Sequence, residues 1–184
     1  EARDNLAVVG RAIGTAGSGL AIDTSSLGPH EFSVTATELS GNSATVSNSY
    51  TVVSPFASFD VHKTEVGLEG GAPRDEFLVE GVFETGGFSN GISVPNEVVT
   101  VTFDGFTQTI PAASFVRESN GLGFQYDGAY GGVTRFIIRD DGQFLIKAEM
   151  LKLPGVGLES PVSFSLRIGD DVGETAISLD DEGP

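Results

Sequence analysis

Apolar and polar residues alternate along much of this chain with a period of two. Phe32, Val34 and Ala36 alternate with Ser33, Thr35 and Thr37, and Ala44, Val46, Tyr50 and Val52 alternate with Thr45, Ser47, Ser49 and Thr51. A strand turns successive side chains to opposite faces, so each run puts apolar groups on one side of a sheet and hydroxyls on the other. Leu39-Ser40-Gly41-Asn42 supplies hairpin turn chemistry between the two runs. No window of about twelve residues free of Gly and Pro carries apolar positions at helical spacing, so no helix is predicted.

Ser54-Pro55 marks a boundary, because proline cannot donate to a ladder. Beyond it, strands are predicted over 57–63, 77–83, 99–103, 107–110, 114–117, 122–126, 133–139, 143–150, 162–168 and 175–179, with a long loop over 86–96. Asp140-Asp141-Gly142 reads as a tight hairpin turn, and Gly169-Asp170-Asp171-Val172-Gly173 as the loop before the last strand. The acidic tail, 180–184, is expected to fray.

Residues 20–53 resemble the C-terminal half of the immunoglobulin-like repeats of bacterial secreted and surface proteins. The resemblance rests on Ile22-Asp23-Thr24-Ser25, Gly28, His30, Phe32, Val34, Ala36 and Gly41-Asn42, with Glu38 where that family usually has Asp. It implies an extracellular or cell-surface setting in a bacterium and a spacer-like role. Residues 57–180 more loosely resemble a β-sandwich module of large secreted bacterial proteins, through Phe77-x-Val79-x-Gly81, Val99-x-Val101, Thr109-Ile110-Pro111-Ala112 and Leu166-x-Ile168-Gly169-Asp170-Asp171.

The expected fold class is all-β, an antiparallel β-sandwich in two parts. Residues 1–54 form a partial immunoglobulin-like module, short of the roughly seven strands that such a sandwich needs. Residues 55–184 form a sandwich or jelly roll of about nine to ten strands. The first module is expected to begin part-way through its domain, as in a piece of a longer modular protein, and its edge to be completed by a neighbouring strand.

Composition narrows the function. The net charge is −16, from 26 acidic and 10 basic residues, which repels phosphate backbones and argues against nucleic-acid partners. The 25 Gly and 8 Pro are scattered, as in a protein of many short strands. Cysteine is absent, which removes disulfides and thiolate metal sites. No apolar run is long enough to span a membrane as a helix, so membrane insertion is not expected.

Hard oxygen donors point to Ca²⁺ as the one candidate cofactor. Asp170 and Asp171 with Glu174 form one acidic cluster, and Asp140 and Asp141 another. The competing reading is plain turn chemistry, which Asp favours by itself. Tyr126, Tyr130 and Phe88 are candidate glycan-contacting rings, with rings that cap the core edge as the alternative. The two histidines suit catalysis poorly: His30 sits in the family pattern as a structural residue, and His62 has only Asp60 on its face as an acid–base companion. No nucleophile motif is present.

The function expected from these readings is a non-catalytic, structural or adhesive extracellular module, Ca²⁺-stabilised and assembling by strand complementation. Its partners would be other modules of the same polypeptide or like subunits. The alternative is an accessory carbohydrate-binding module of a secreted enzyme, with glycans as partners.

Overall fold

The computed structural model describes residues 11–17, 19–68, 74–151, 153 and 161–179; the acidic tail lies outside them. Among the described residues all regular structure is strand. The chain divides into two compact units, Glu1–Val53 and Ser54–Pro184.

In the first unit, β1 (Arg11–Gly14), β2 (Gly28–Thr37) and β3 (Ser43–Val52) form an antiparallel sheet in the order β1-β2-β3. Strands β2 and β3 pair in continuous register, with His30 opposite Tyr50, Phe32 opposite Asn48, Val34 opposite Val46 and Ala36 opposite Ala44. The alternation therefore gathers the apolar residues on one face and Thr35, Thr45, Ser33 and Ser47 on the other. Glu38 closes the hairpin: its N–H donates to the Asn42 carbonyl at 2.8 Å, and its carboxylate accepts from Ser40 Oγ at 3.0 Å. His30 is structural here. Its Nε2 donates to the Ser26 carbonyl at 2.8 Å, and its ring stacks on Tyr50 at 5.3 Å. No described residue of this unit is fully buried, and Val46 is 66% exposed.

The second unit begins one residue earlier than the proline boundary implies. Ser54 and Pro55 form a two-residue strand, β4, rather than the end of β3. The Ser54 N–H donates to the Asp170 carbonyl at 2.8 Å, which ties the residue to the distal hairpin.

Ten further strands follow: β5 (Ser58–Gly67), β6 (Asp75–Glu84), β7 (Val99–Phe103), β8 (Phe106–Ile110), β9 (Val116–Arg117), β10 (Gly123–Asp127), β11 (Gly132–Arg139), β12 (Gln143–Leu151), β13 (Val162–Ile168) and β14 (Asp171–Ile177). They form a six-stranded sheet, β5-β6-β12-β11-β10-β9, and a five-stranded sheet, β4-β14-β13-β7-β8. All pairs are antiparallel except β4 with β14, which is parallel and departs from the purely antiparallel expectation.

The inner faces of the two sheets meet through phenylalanines. Phe77 of β6 stacks on Phe103 of β7 at 4.4 Å, and Phe164 of β13 lies 5.8 Å from Phe59 and 6.1 Å from Phe144. Strict alternation supplies this core on β7 and β13, where Val99, Val101 and Phe103, and Val162, Phe164, Leu166 and Ile168, all point inward. Bulges reset the phase elsewhere. Between Val133 and Arg135 the register slips, so Val133 and Phe136 are both buried although they stand three positions apart. The slip between Val61 and Lys63 has the same effect, moving the inward positions of β5 from Phe59 and Val61 to Thr64 and Val66.

Candidate functional site

A hollow of about 530 Å³ opens at one end of the sheets of the second unit. Its floor is apolar, made by Phe83 at the end of β6, Ile92 and Val94 from the β6–β7 loop, Phe124 of β10 and Ile138 of β11. Its rim is polar and mostly acidic, with Glu84, Asp140 and Asp141 against a single Arg139.

The hairpin tip on this rim is fixed from both sides. Gly142 takes φ of +85°, and a Cβ there would overlap the Phe83 carbonyl oxygen. The Phe83 N–H donates to the Gly142 carbonyl at 3.1 Å, so the β11–β12 turn is bonded to β6. On the other side Arg117 of β9 grips Asp140, with Nη1–Oδ1 at 2.9 Å and Nη2–Oδ2 at 2.6 Å. The same guanidinium lies 4.7 Å from the centroid of the Phe124 ring. A floor of rings and branched chains under fixed carboxylates can hold a ligand with an apolar face and hydroxyl or cationic groups.

Sequence reasoning treated the acidic residues as metal ligands, and the structure distributes them. Asp140 is engaged by Arg117, and Asp141 Oδ1 accepts the Gln143 N–H at 3.1 Å in the turn. The last strand begins at Asp171, not at Thr175, so the expected five-residue loop shrinks to a tight turn at Gly169-Asp170. This early start puts Asp171 on the inner face of β14 and Glu174, three residues on, on the exposed face. Glu174 therefore does not join Asp171. Among the described residues no group of three or more His, Cys, Asp or Glu forms a candidate metal cluster.

The aromatic candidates separate too. Tyr126 is half-buried and packs against Phe115 at 5.7 Å, so it seals the core edge. Tyr130 is 77% exposed and Phe88 83% exposed. Tyr130 lines a shallow groove of about 350 Å³ with Thr134, Arg135, Lys147 and Glu149. In that groove Lys147 Nζ donates to Glu149 at 2.7 Å, and Thr134 Oγ1 to the same carboxylate at 2.7 Å. The Lys147 bond and then the Thr134 bond hold the Glu149 carboxyl below its ordinary value, and the Glu149 bond raises Lys147 above its own. His62 lies in the bulged stretch of β5 and, like Asp60, is exposed.

Sequence reasoning missed Ser54, Ser89, Asn90 and Arg117. Ser89 Oγ donates to Asp171 Oδ2 at 2.8 Å, and Asn90 Nδ2 to Asp170 Oδ2 at 3.0 Å. These bonds fasten the β6–β7 loop to the β13–β14 turn, about eighty positions away in the chain. Ser89-Asn90 lies inside a Gly-rich loop, and by composition alone it reads as a turn.

The chain matches no known family model, no curated protein and no solved structure.

Proposed function

We propose that this chain is a non-catalytic structural or adhesive segment of a bacterial surface or secreted protein, with an immunoglobulin-like first module, and that copies join by strand addition along β3. One observation carries this reading. β3 runs for ten residues, Ser-Ala-Thr-Val-Ser-Asn-Ser-Tyr-Thr-Val, without a charge or a proline, and among the described residues its ladder partner is β2 alone.

A long, uncharged edge with free N–H and C=O groups is a template for another strand unless it is guarded. The second unit guards three of its four edges, and the fourth, β8, is half the length of β3. β4 and β9 are two residues long, and β5 carries Asp60, His62, Lys63 and Glu65 with a bulge. β3 has none of these devices. The β3 edges of two copies are self-complementary about a two-fold axis, as a symmetric dimer requires. The net charge of −16 opposes that approach at low ionic strength, so salt strengthens the association.

Sedimentation of the full chain over a range of concentrations and salt tests this. Self-association that weakens in Ser47→Lys, Asn48→Lys supports it. A monomer under all conditions, or association indifferent to those lysines, overturns it.

The end hollow favours a second reading, the accessory carbohydrate-binding module. Its apolar floor and fixed carboxylate rim suit a sugar ring and its hydroxyls. Glycan-array binding that is lost in Glu84→Gln, Asp141→Asn would select this reading, and an array without hits would remove it.

A further inference from the structure

We propose that Asp171 and Ser54 form an inner cation site that takes Ca²⁺ and locks the β6–β7 loop onto the five-stranded sheet. It rests on side-chain geometry inside the second unit and is independent of the assembly at β3.

Asp171 and Ser54 are the two polar residues that the fold buries completely, each 0% exposed among the described residues. They stand opposite each other in the parallel register of β4 and β14. Asp171 Oδ2 accepts from Ser89 Oγ at 2.8 Å, whereas among the described residues Asp171 Oδ1 and Ser54 Oγ have no partner. Among the described residues no basic side chain pairs with Asp171. A buried carboxylate oxygen without a donor or counter-charge is costly enough that native proteins rarely leave one so. Two such oxygens on paired residues of adjacent strands can be satisfied together by a cation between them.

The surroundings close the site. Gly86 lies against Ser54: a Cβ there would overlap the Pro55 carbonyl oxygen and come within 3.1 Å of Ser54 Oγ. Ser89 covers Asp171 from the same loop, and its N–H donates back to the Gly86 carbonyl at 3.1 Å. The walls are thus a carboxylate, two hydroxyls and backbone. All donors are oxygen, without imidazole or thiolate, which selects a hard cation and, in an irregular cage, Ca²⁺ over Mg²⁺. Because the loop supplies the cover, the ion and the closed loop stabilise each other. The same loop gives Ile92 and Val94 to the end hollow, so the ion also sets that wall.

The test uses the full chain after treatment with chelator, with Ca²⁺ added back at constant ionic strength and Mg²⁺ in a parallel titration. The expected result is a rise in melting temperature of about 5 °C or more at saturating Ca²⁺. Equilibrium dialysis should find one tightly held ion per chain. Asp171→Asn should abolish both effects, and Asp140→Asn, on the other acidic turn, should keep both. If Asp171→Asn does not fold, Ser54→Ala serves, with Ca²⁺ affinity lowered about tenfold for one lost ligand. A melting temperature indifferent to Ca²⁺ would mean that water satisfies these oxygens and would overturn the site. A Ca²⁺ response that survives both Asp171→Asn and Ser54→Ala would overturn it equally.

Discussion

Arg117 and Asp140 meet as a fork on a fork, Nη1–Oδ1 at 2.9 Å and Nη2–Oδ2 at 2.6 Å, while the guanidinium plane lies over Phe124. Both partners are about half exposed, so the pair is worth a surface interaction and its geometry matters more than its charge. Arg117→Ala is expected to cost about 1 kcal/mol, from the ion pair and the ring contact together. Arg117→Lys should recover less than half, since a point ammonium cannot hold both oxygens. Urea unfolding midpoints of the three proteins check this.

Gly142→Ala should destabilise the chain by about 2 kcal/mol, because alanine is strained at positive φ and its Cβ would overlap the Phe83 carbonyl oxygen. Gly87→Ala is the control. A Cβ at Gly87 meets nothing within 4 Å, so its midpoint should stay near that of the parent.

Phe103 is 0% exposed and stacks on Phe77 across the two sheets. Phe103→Ala removes that contact and leaves a cavity, with an expected loss of about 3 to 5 kcal/mol. Thermal unfolding followed by near-ultraviolet dichroism reads it. Phe103→Leu should lose clearly less.

Glu149 and Lys147 give the chain a predictable pH response. A carboxyl held below its ordinary value of 4.5 stabilises the fold above that value, and the contribution fades as pH falls through the lower folded value. Lys147, raised above 10.5, contributes fully below that value and loses its contribution as pH rises through the higher folded one. Glu149→Gln should therefore flatten the decline of the urea midpoint below about pH 4.5 and also the decline above about pH 10.5. Unchanged slopes would show that the pair does not couple to folding.

Tyr126→Ala and Tyr130→Ala should behave oppositely in stability. Tyr126 packs on Phe115 and on the core, so its loss lowers the melting temperature. Tyr130 stands in solvent, so its loss leaves the melting temperature within about 1 °C. Differential scanning calorimetry of the two variants separates the roles.

Much of the fold was legible because strand alternation is a local property. The runs at 32–37, 44–52, 99–103 and 162–168 each read correctly as strands with a buried and an open face or a half-solvated pair. The phase changes at Thr134 and His62 were not legible, since a bulge is chosen by the partner strand and not by the bulged residue's chemistry. The candidate site was legible only in part. Asp140, Asp141, Asp170 and Asp171 stood out as acidic turns, yet their partners come from distant segments: Arg117 for Asp140, Ser89 for Asp171 and Asn90 for Asp170.

The sequence by itself determined an all-β chain with a boundary near Ser54-Pro55, because period-two patterning and proline act within a few residues. Only the tertiary structure decided that Ser54 lies beside Asp171, and that Asp171 turns inward while Glu174 turns out. A side chain's face depends on where its strand starts, and its burial depends on what a remote strand and loop bring over it. Those are long-range choices, and a local pattern does not carry them.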